Sequence, residues 1–159
     1  MSSSLSGKLE GSVEIDSSPE DFHEMFFHRP HHMPNACADK VQGCDLHEGD
    51  AYGEHGAVVC FRYTHDGKAK TAKHLVEVDD PTTHTVRYNM LEGDLLEEYK
   101  NFVLTYTATP KPDGKGSIVK WVFEYEKLHE GIPHPESLMD YLLSVSKDMG
   151  DHLSEGPKA

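Results

Sequence analysis

The stretch HPESLMDYLLSVSKDMGDHL, residues 134–153, decides the architecture. Leu138, Tyr141, Leu142, Val145, Met149 and Leu153 recur at i, i+3, i+4 spacing, which places them on one face of an α-helix. Pro135 suits the first turn because its φ is preset and its missing N–H is not needed there. Glu136 suits it because a helix N-terminus carries partial positive charge. A long helix with a single apolar stripe needs a partner surface.

The preceding residues supply one. In SIVKWVFEYEKL (117–128), Val119, Trp121, Phe123 and Tyr125 alternate with Lys120, Val122 and Glu124, the period of a strand with one buried face. Phe102, Leu104, Tyr106 and Ala108 share a face in the segment before it. Val86, Tyr88 and Met90 do so earlier, and Val59, Phe61 and Tyr63 earlier still. Asp66-Gly67 joins two of these runs with a hairpin signal, Gly93 breaks another pair, and PKPDGKG (110–116) is a turn by composition. Near the start, Leu5, Leu9, Val13 and Ile15 fall on odd positions and predict a long strand. A sheet with one apolar face needs a cover, so the reading is α+β: a curved antiparallel sheet with the C-terminal helix packed across it.

Between the first strand and the rest the period changes. Ser18 is an N-cap, Pro19 fits the first helical position, Asp21 stands at N3, and Phe22, Met25 and Phe26 share a helical face. Pro30 ends or kinks this helix, and Pro34 prevents a long second one.

The chain has 159 residues, 36% hydrophobic and 27% charged, which suits one core without a linker or repeat. One domain over 1–155 is expected, with a flexible tail over 156–159. A formal net charge of −13 repels phosphate backbones and anionic membranes, so no direct nucleic-acid binding and no membrane insertion are expected. Cys37, Cys44 and Cys60 are odd in number and form no CxxC pair. Together with an N-terminus lacking a signal-like apolar run, they predict a reducing, cytoplasmic setting with free thiols.

His28, His31 and His32 lie near Cys37, but Pro30 and Pro34 interrupt metal-ligand spacing and no HExxH is present. No metal and no cofactor are expected. Gly49, Gly53 and Gly56 permit tight turns, yet Asp50 and Glu54 among them make a poor phosphate cradle. Glu92, Asp94, Glu97 and Glu98 read as a solvated turn rather than paired catalytic carboxylates. No nucleophile elbow and no calcium loop are present. His65, His74 and His84 read as surface or turn residues. If Ala72, His74, Val76 and Val78 face inward, His74 is a buried imidazole, either satisfied in the core or a general base; the satisfied or surface reading is preferred.

Two readings of the aromatic face stay open. It is a dry core, or it lines a cavity in which tyrosine and tryptophan find polar partners.

Four segments bear on the choice: HHMPNACADKVQGCDLHEGD, HDGKAKTAKH, YNMLEGDLLEEYKNFVLTYTATPKPDGKGSIVKWVFEYEK and HPESLMDYL. In this combination and order the chain resembles the plant major latex protein group, within the birch-pollen-allergen-like (Bet v 1, START-like) superfamily. The resemblance implies a helix-grip fold: a seven-stranded curved antiparallel sheet wrapped around a long C-terminal helix, with two short helices between the first two strands. It also implies a cavity between sheet and helix for a small hydrophobic plant metabolite of steroid, hormone, alkaloid or terpenoid type, in a defence-related setting. Its walls are expected to be Phe61, Tyr63, Tyr88, Met90, Phe102, Leu104, Tyr106, Trp121, Phe123, Tyr125, Leu142, Val145 and Met149, with His31, His32 and Met33 at the rim. Such pockets span roughly 300–1,000 Å³. A monomer or weak homodimer is expected.

Some members of the superfamily are enzymes, but the inward positions of the last strand hold no lysine or carboxylate. Lys120 and Glu124 fall on the other face. Binding without turnover is therefore the preferred reading. A cofactor-free cyclase or isomerase using Tyr88, Tyr106 or His74 is the alternative, and a storage or interaction protein the third.

Overall fold

The computed structural model describes residues 5–78 and 83–154. The expected tail over 156–159 lies outside the described residues. Seven strands form one antiparallel sheet: β1 (Ser6–Ile15), β2 (Val41–Glu48), β3 (Val58–His65), β4 (Lys68–Glu77), β5 (Thr85–Gly93), β6 (Tyr99–Pro110) and β7 (Ser117–Lys127). Their order is β1-β7-β6-β5-β4-β3-β2. Neighbours in sequence are neighbours in the sheet except β1, which pairs with β7 from Ser6↔Glu126 to Ile15↔Ser117. Register shifts in the β2–β3, β4–β5 and β6–β7 pairs bend the sheet into its curve.

The alternation read from the sequence fixes the inner face. Val119, Trp121, Phe123 and Tyr125 are buried, as are Phe102, Leu104, Tyr106, Ala108, Val86, Tyr88 and Met90. The β3–β4 hairpin turns on two residues, Asp66 (φ 55°) and Gly67 (φ 74°). Both sit in the left-handed region that a twist-matched two-residue turn requires.

The helical cover has two parts. The long helix α3 (Glu136–Ser154) presents Leu138, Val145 and Met149 to the sheet, all buried. It is tied to the sheet by the buried Trp121 indole, whose Nε1–H donates to Ser146 Oγ at 3.0 Å. Near its end a Cβ on Gly150 would stand 2.5 Å from Ile15 Cβ, so only glycine allows helix and strand to approach this closely.

The second part lies between β1 and β2. Helix α1 (Pro19–His23) starts at Ser18, whose hydroxyl accepts from the Asp21 N–H at 3.1 Å. It runs into a single π turn over Glu24–His28, closed by Arg29 N donating to Glu24 O at 3.1 Å. Pro30 then opens a 3₁₀ turn over Pro30–His32, and α2 (Pro34–Cys37) leads into β2. These two short helices close the sheet where α3 does not. Lys40, just past α2, pairs with Asp148 of α3 at 2.6 Å, and the Tyr141 hydroxyl donates to the Lys40 carbonyl.

Candidate functional site

The inner face of the sheet divides into two aromatic groups. One end is closed. Tyr99, Phe102, Phe123 and Tyr125 stack there with ring centroids 5.1–5.7 Å apart. Their polar ends are spent on the loop before α3. The Tyr99 hydroxyl donates to the Pro133 carbonyl at 2.7 Å, and the Tyr125 hydroxyl is 2.6 Å from His134 Nδ1.

The other end encloses a cavity of about 70 Å³. Of the expected wall residues, Phe61, Tyr63, Tyr88, Met90, Leu104, Trp121, Leu142 and Val145 line it. Phe102, Phe123 and Tyr125 do not, because they fill the closed end. Met149 packs in the core, and Tyr106 stands one layer back. Alternation fixes which face a side chain takes but not its position along the strand, which is what separates these two sets. Phe61, Leu95, Tyr141 and Leu142 are the partly exposed members of the wall and mark its opening between β3, the 3₁₀ turn Asp94–Glu97 and α3.

The rim differs from expectation. Met33 is buried in the cavity wall. His31 is exposed and stacks on Tyr52 at 4.5 Å, outside the cavity. His32 lines a separate groove of mixed polarity with Met25, Arg29, Asn35, His152 and Leu153. The 3₁₀ turn rotates the two histidines away from Met33, its helical neighbour in sequence.

His74 also differs from the preferred reading. It is buried rather than on the surface, lines the cavity, and its Nδ1 has no hydrogen-bond partner. It faces inward because β4 alternates Ala72, His74 and Val76 toward the core. Phe61 and Tyr88 flank its ring edge-on at 5.9 and 5.7 Å. Burial pushes the imidazole down to about 4, so it is neutral at pH 7.

Tyr63 and Tyr88 join it in the wall. Neither hydroxyl has a hydrogen-bond partner among the described residues. Burial, with the Asp94 carboxylate adding to it, pushes the Tyr63 phenol up to about 12. Burial, with Cys44 adding to it, holds Tyr88 well above the usual phenol range. Both are therefore neutral donors. Among the described residues the wall contains no lysine, arginine or carboxylate; its polar groups are those of His74, Tyr63 and Tyr88, with the Trp121 indole and the Tyr141 hydroxyl already bonded to Ser146 and Lys40.

Several wall residues were not singled out from sequence: Phe26, Val41, Ala72, Leu95, Leu138 and Tyr141. The helical faces of Phe26, Leu138 and Tyr141 were legible; that those faces meet empty space was not. Among the described residues no group of three or more His, Cys, Asp or Glu is placed to hold a metal ion. Among them, too, no helix is long and apolar enough to cross a membrane.

A sequence profile of the Pathogenesis-related protein Bet v 1 family matches residues 4–156. The chain is 49% identical to MLP-like protein 31 of Arabidopsis thaliana over 152 residues, 96% of this chain and 88% of that protein. It is 50% identical to Arabidopsis MLP-like protein 28 over 151 residues, 95% of this chain, but spans only 45% of that protein's length. Among solved structures, the crystal structure of ginseng major latex-like protein 151 from Panax ginseng superposes with a TM-score of 0.86. It is 40% identical, with 93% of this chain and 97% of that one covered.

Proposed function

We propose that this chain, which belongs to the pathogenesis-related protein Bet v 1 family and to its major latex protein-like group, binds or carries a small, largely apolar metabolite. The ligand is a rigid ring system with one or two polar groups, of the steroid, hormone, alkaloid or terpenoid kind. One observation carries this reading. His74 Nδ1 is buried without a hydrogen-bond partner in the wall of an apolar cavity, and Tyr63 and Tyr88 stand in the same wall. A dry core leaves few such groups unpaired, because each costs about 1–3 kcal/mol. A ligand hydroxyl or carbonyl would satisfy them, and apolar walls with a few convergent polar groups are what such sites use. The lack of any wall cation or carboxylate disfavours charged sugars and nucleotides.

The experiment is native mass spectrometry of protein from its own source, then titration with the co-purified molecule. Trp121 is the sole tryptophan and stands in the cavity wall, so its fluorescence should report binding. If no apolar ring compound binds below about 100 µM, near −5.5 kcal/mol, the carrier reading fails and a storage or interaction role replaces it.

A second reading is turnover. It would use the neutral His74 imidazole as base and the Tyr88 phenol as acid, whose rings lie 5.7 Å apart, in an isomerisation or cyclisation. Product formed above the uncatalysed rate, and lost in Y88F, would favour it.

A further inference from the structure

The cavity is too small for the ligand class just proposed. An engineered apolar cavity of about 150 Å³ holds one benzene, and this one is about 70 Å³. One side chain of the cavity wall, Phe26, stands between the cavity and further aromatic residues. The Phe26 ring lies 6.5, 5.9 and 5.3 Å from Phe61, Tyr88 and Trp121, all three in the cavity wall. On its other side it lies 5.2 Å from Tyr106 and 5.6 Å from Phe22, which are outside the cavity. Phe26 is the partition between the cavity and these two residues.

We propose that Phe26 is a displaceable plug, and that behind it lies a subsite on Tyr106 and His23 for a hydroxyl or carbonyl at one end of a ring-shaped ligand. The proposal deepens the cavity reading and rests on it. Tyr106 is fully buried, and its hydroxyl is 2.8 Å from His23 Nδ1. That pair already holds a polar end in place, with an oxygen lone pair free for a ligand donor. In the other tautomer the hydroxyl is free to donate to a ligand carbonyl. With Phe26 gone from the partition, Tyr106 would face the same space as Tyr88, whose ring is 6.2 Å away.

The backbone supports displacement. Phe26 sits in the middle of the π turn Glu24–His28, which the Arg29 N–H closes by donating to the Glu24 carbonyl. A π turn accommodates one extra residue in a helix, and such turns concentrate at functional sites. Resolving it into α geometry turns the chain by one residue, about 100°, and carries Phe26 off the partition. Arg29, at φ −132° and ψ 51°, and Pro30 end the helix directly after it.

The test uses 2-naphthol and naphthalene as probes, measured by equilibrium dialysis. The proteins are wild type, F26A, F26L and F26A/Y106F, each first checked for folding by circular dichroism. F26A should bind both probes at least tenfold more tightly than wild type, because no side chain need be displaced. F26L, which keeps more of the core, should move the same way by a smaller factor and serves if F26A does not fold. Adding Y106F should weaken 2-naphthol about fivefold and leave naphthalene unchanged. If wild type saturates and the Phe26 variants bind no better, the plug is overturned while the cavity reading stands. Equal loss of both probes on Y106F overturns the polar subsite. If no protein binds either probe, the cavity reading fails and the subsite with it.

Discussion

Replacing Ser146 with alanine should destabilise the fold measurably, although it removes a single oxygen. Trp121 is 1% exposed and Ser146 is 0% exposed, and the indole N–H donates to that oxygen at 3.0 Å. Both groups are buried, so bulk water does not directly replace the lost acceptor. The buried donor is left unsatisfied, which costs about 1–3 kcal/mol rather than the smaller net value of an average hydrogen bond. For a chain of this length each kcal/mol lowers Tm by about 2–4 °C, so the loss is about 2–12 °C. With a urea m-value of about 2 kcal/mol/M, the midpoint falls by about 0.5–1.5 M at unchanged m. Urea titration followed by far-UV circular dichroism measures this without relying on the tryptophan. W121F and the double variant complete a cycle: with the donor also gone, S146A should cost little more. A midpoint unmoved by S146A, or equal losses in both backgrounds, would show that this contact does not tie α3 to the sheet.

Val145 is fully buried on α3, so V145D should remove more than about 3 kcal/mol or abolish cooperative unfolding; an unchanged melting curve would mean the helix face is not packed. S18A deletes the cap that accepts from the Asp21 N–H and should cost about 1 kcal/mol in urea, with S18D restoring most of it. His74 has a folded-state pKa lowered to about 4 by burial, so between about pH 6.5 and 4 the unfolded chain binds a proton that the folded chain refuses. Stability contributed by its neutral state is therefore full above pH 6.5 and falls as the pH drops toward 4, by roughly 3 kcal/mol in all. H74F should flatten that difference in urea midpoints between pH 7 and pH 4.5; parallel profiles for H74F and wild type would refute it.

The fold was legible because two independent periods agreed. Alternation in 117–127 and 3.6-residue spacing in 136–153 each named one apolar face, and the structure joins Trp121 on the first to Ser146 on the second. The cap at Ser18 and the turn at Asp66-Gly67 are local chemistry, readable without the rest of the chain. The site was legible only in part. Trp121, Phe123 and Tyr125 have the same sequence signature, yet only Trp121 meets the cavity, since depth along a strand depends on what stands opposite. Phe26 read as a core residue of a short helix because a π turn has no signature in residue type. The state of His74 was not legible because a polar residue at an inward position is normally paired, and here Nδ1 has no partner.

The β1–β7 pairing carries a consequence for biosynthesis. Every other strand pair joins neighbours in the sequence and can close soon after it is made, whereas Ser6 waits for Glu126. At about 5–20 residues per second of synthesis, β1 spends roughly 6–24 s as a lone strand before its partner emerges. Its positions alternate Lys8, Glu10, Ser12 and Glu14 with Leu9 and Val13. Charge at three of these four alternate places keeps a solitary strand from pairing with a copy on a neighbouring ribosome. The strand that closes the sheet last is thus also the one whose sequence can best tolerate the delay.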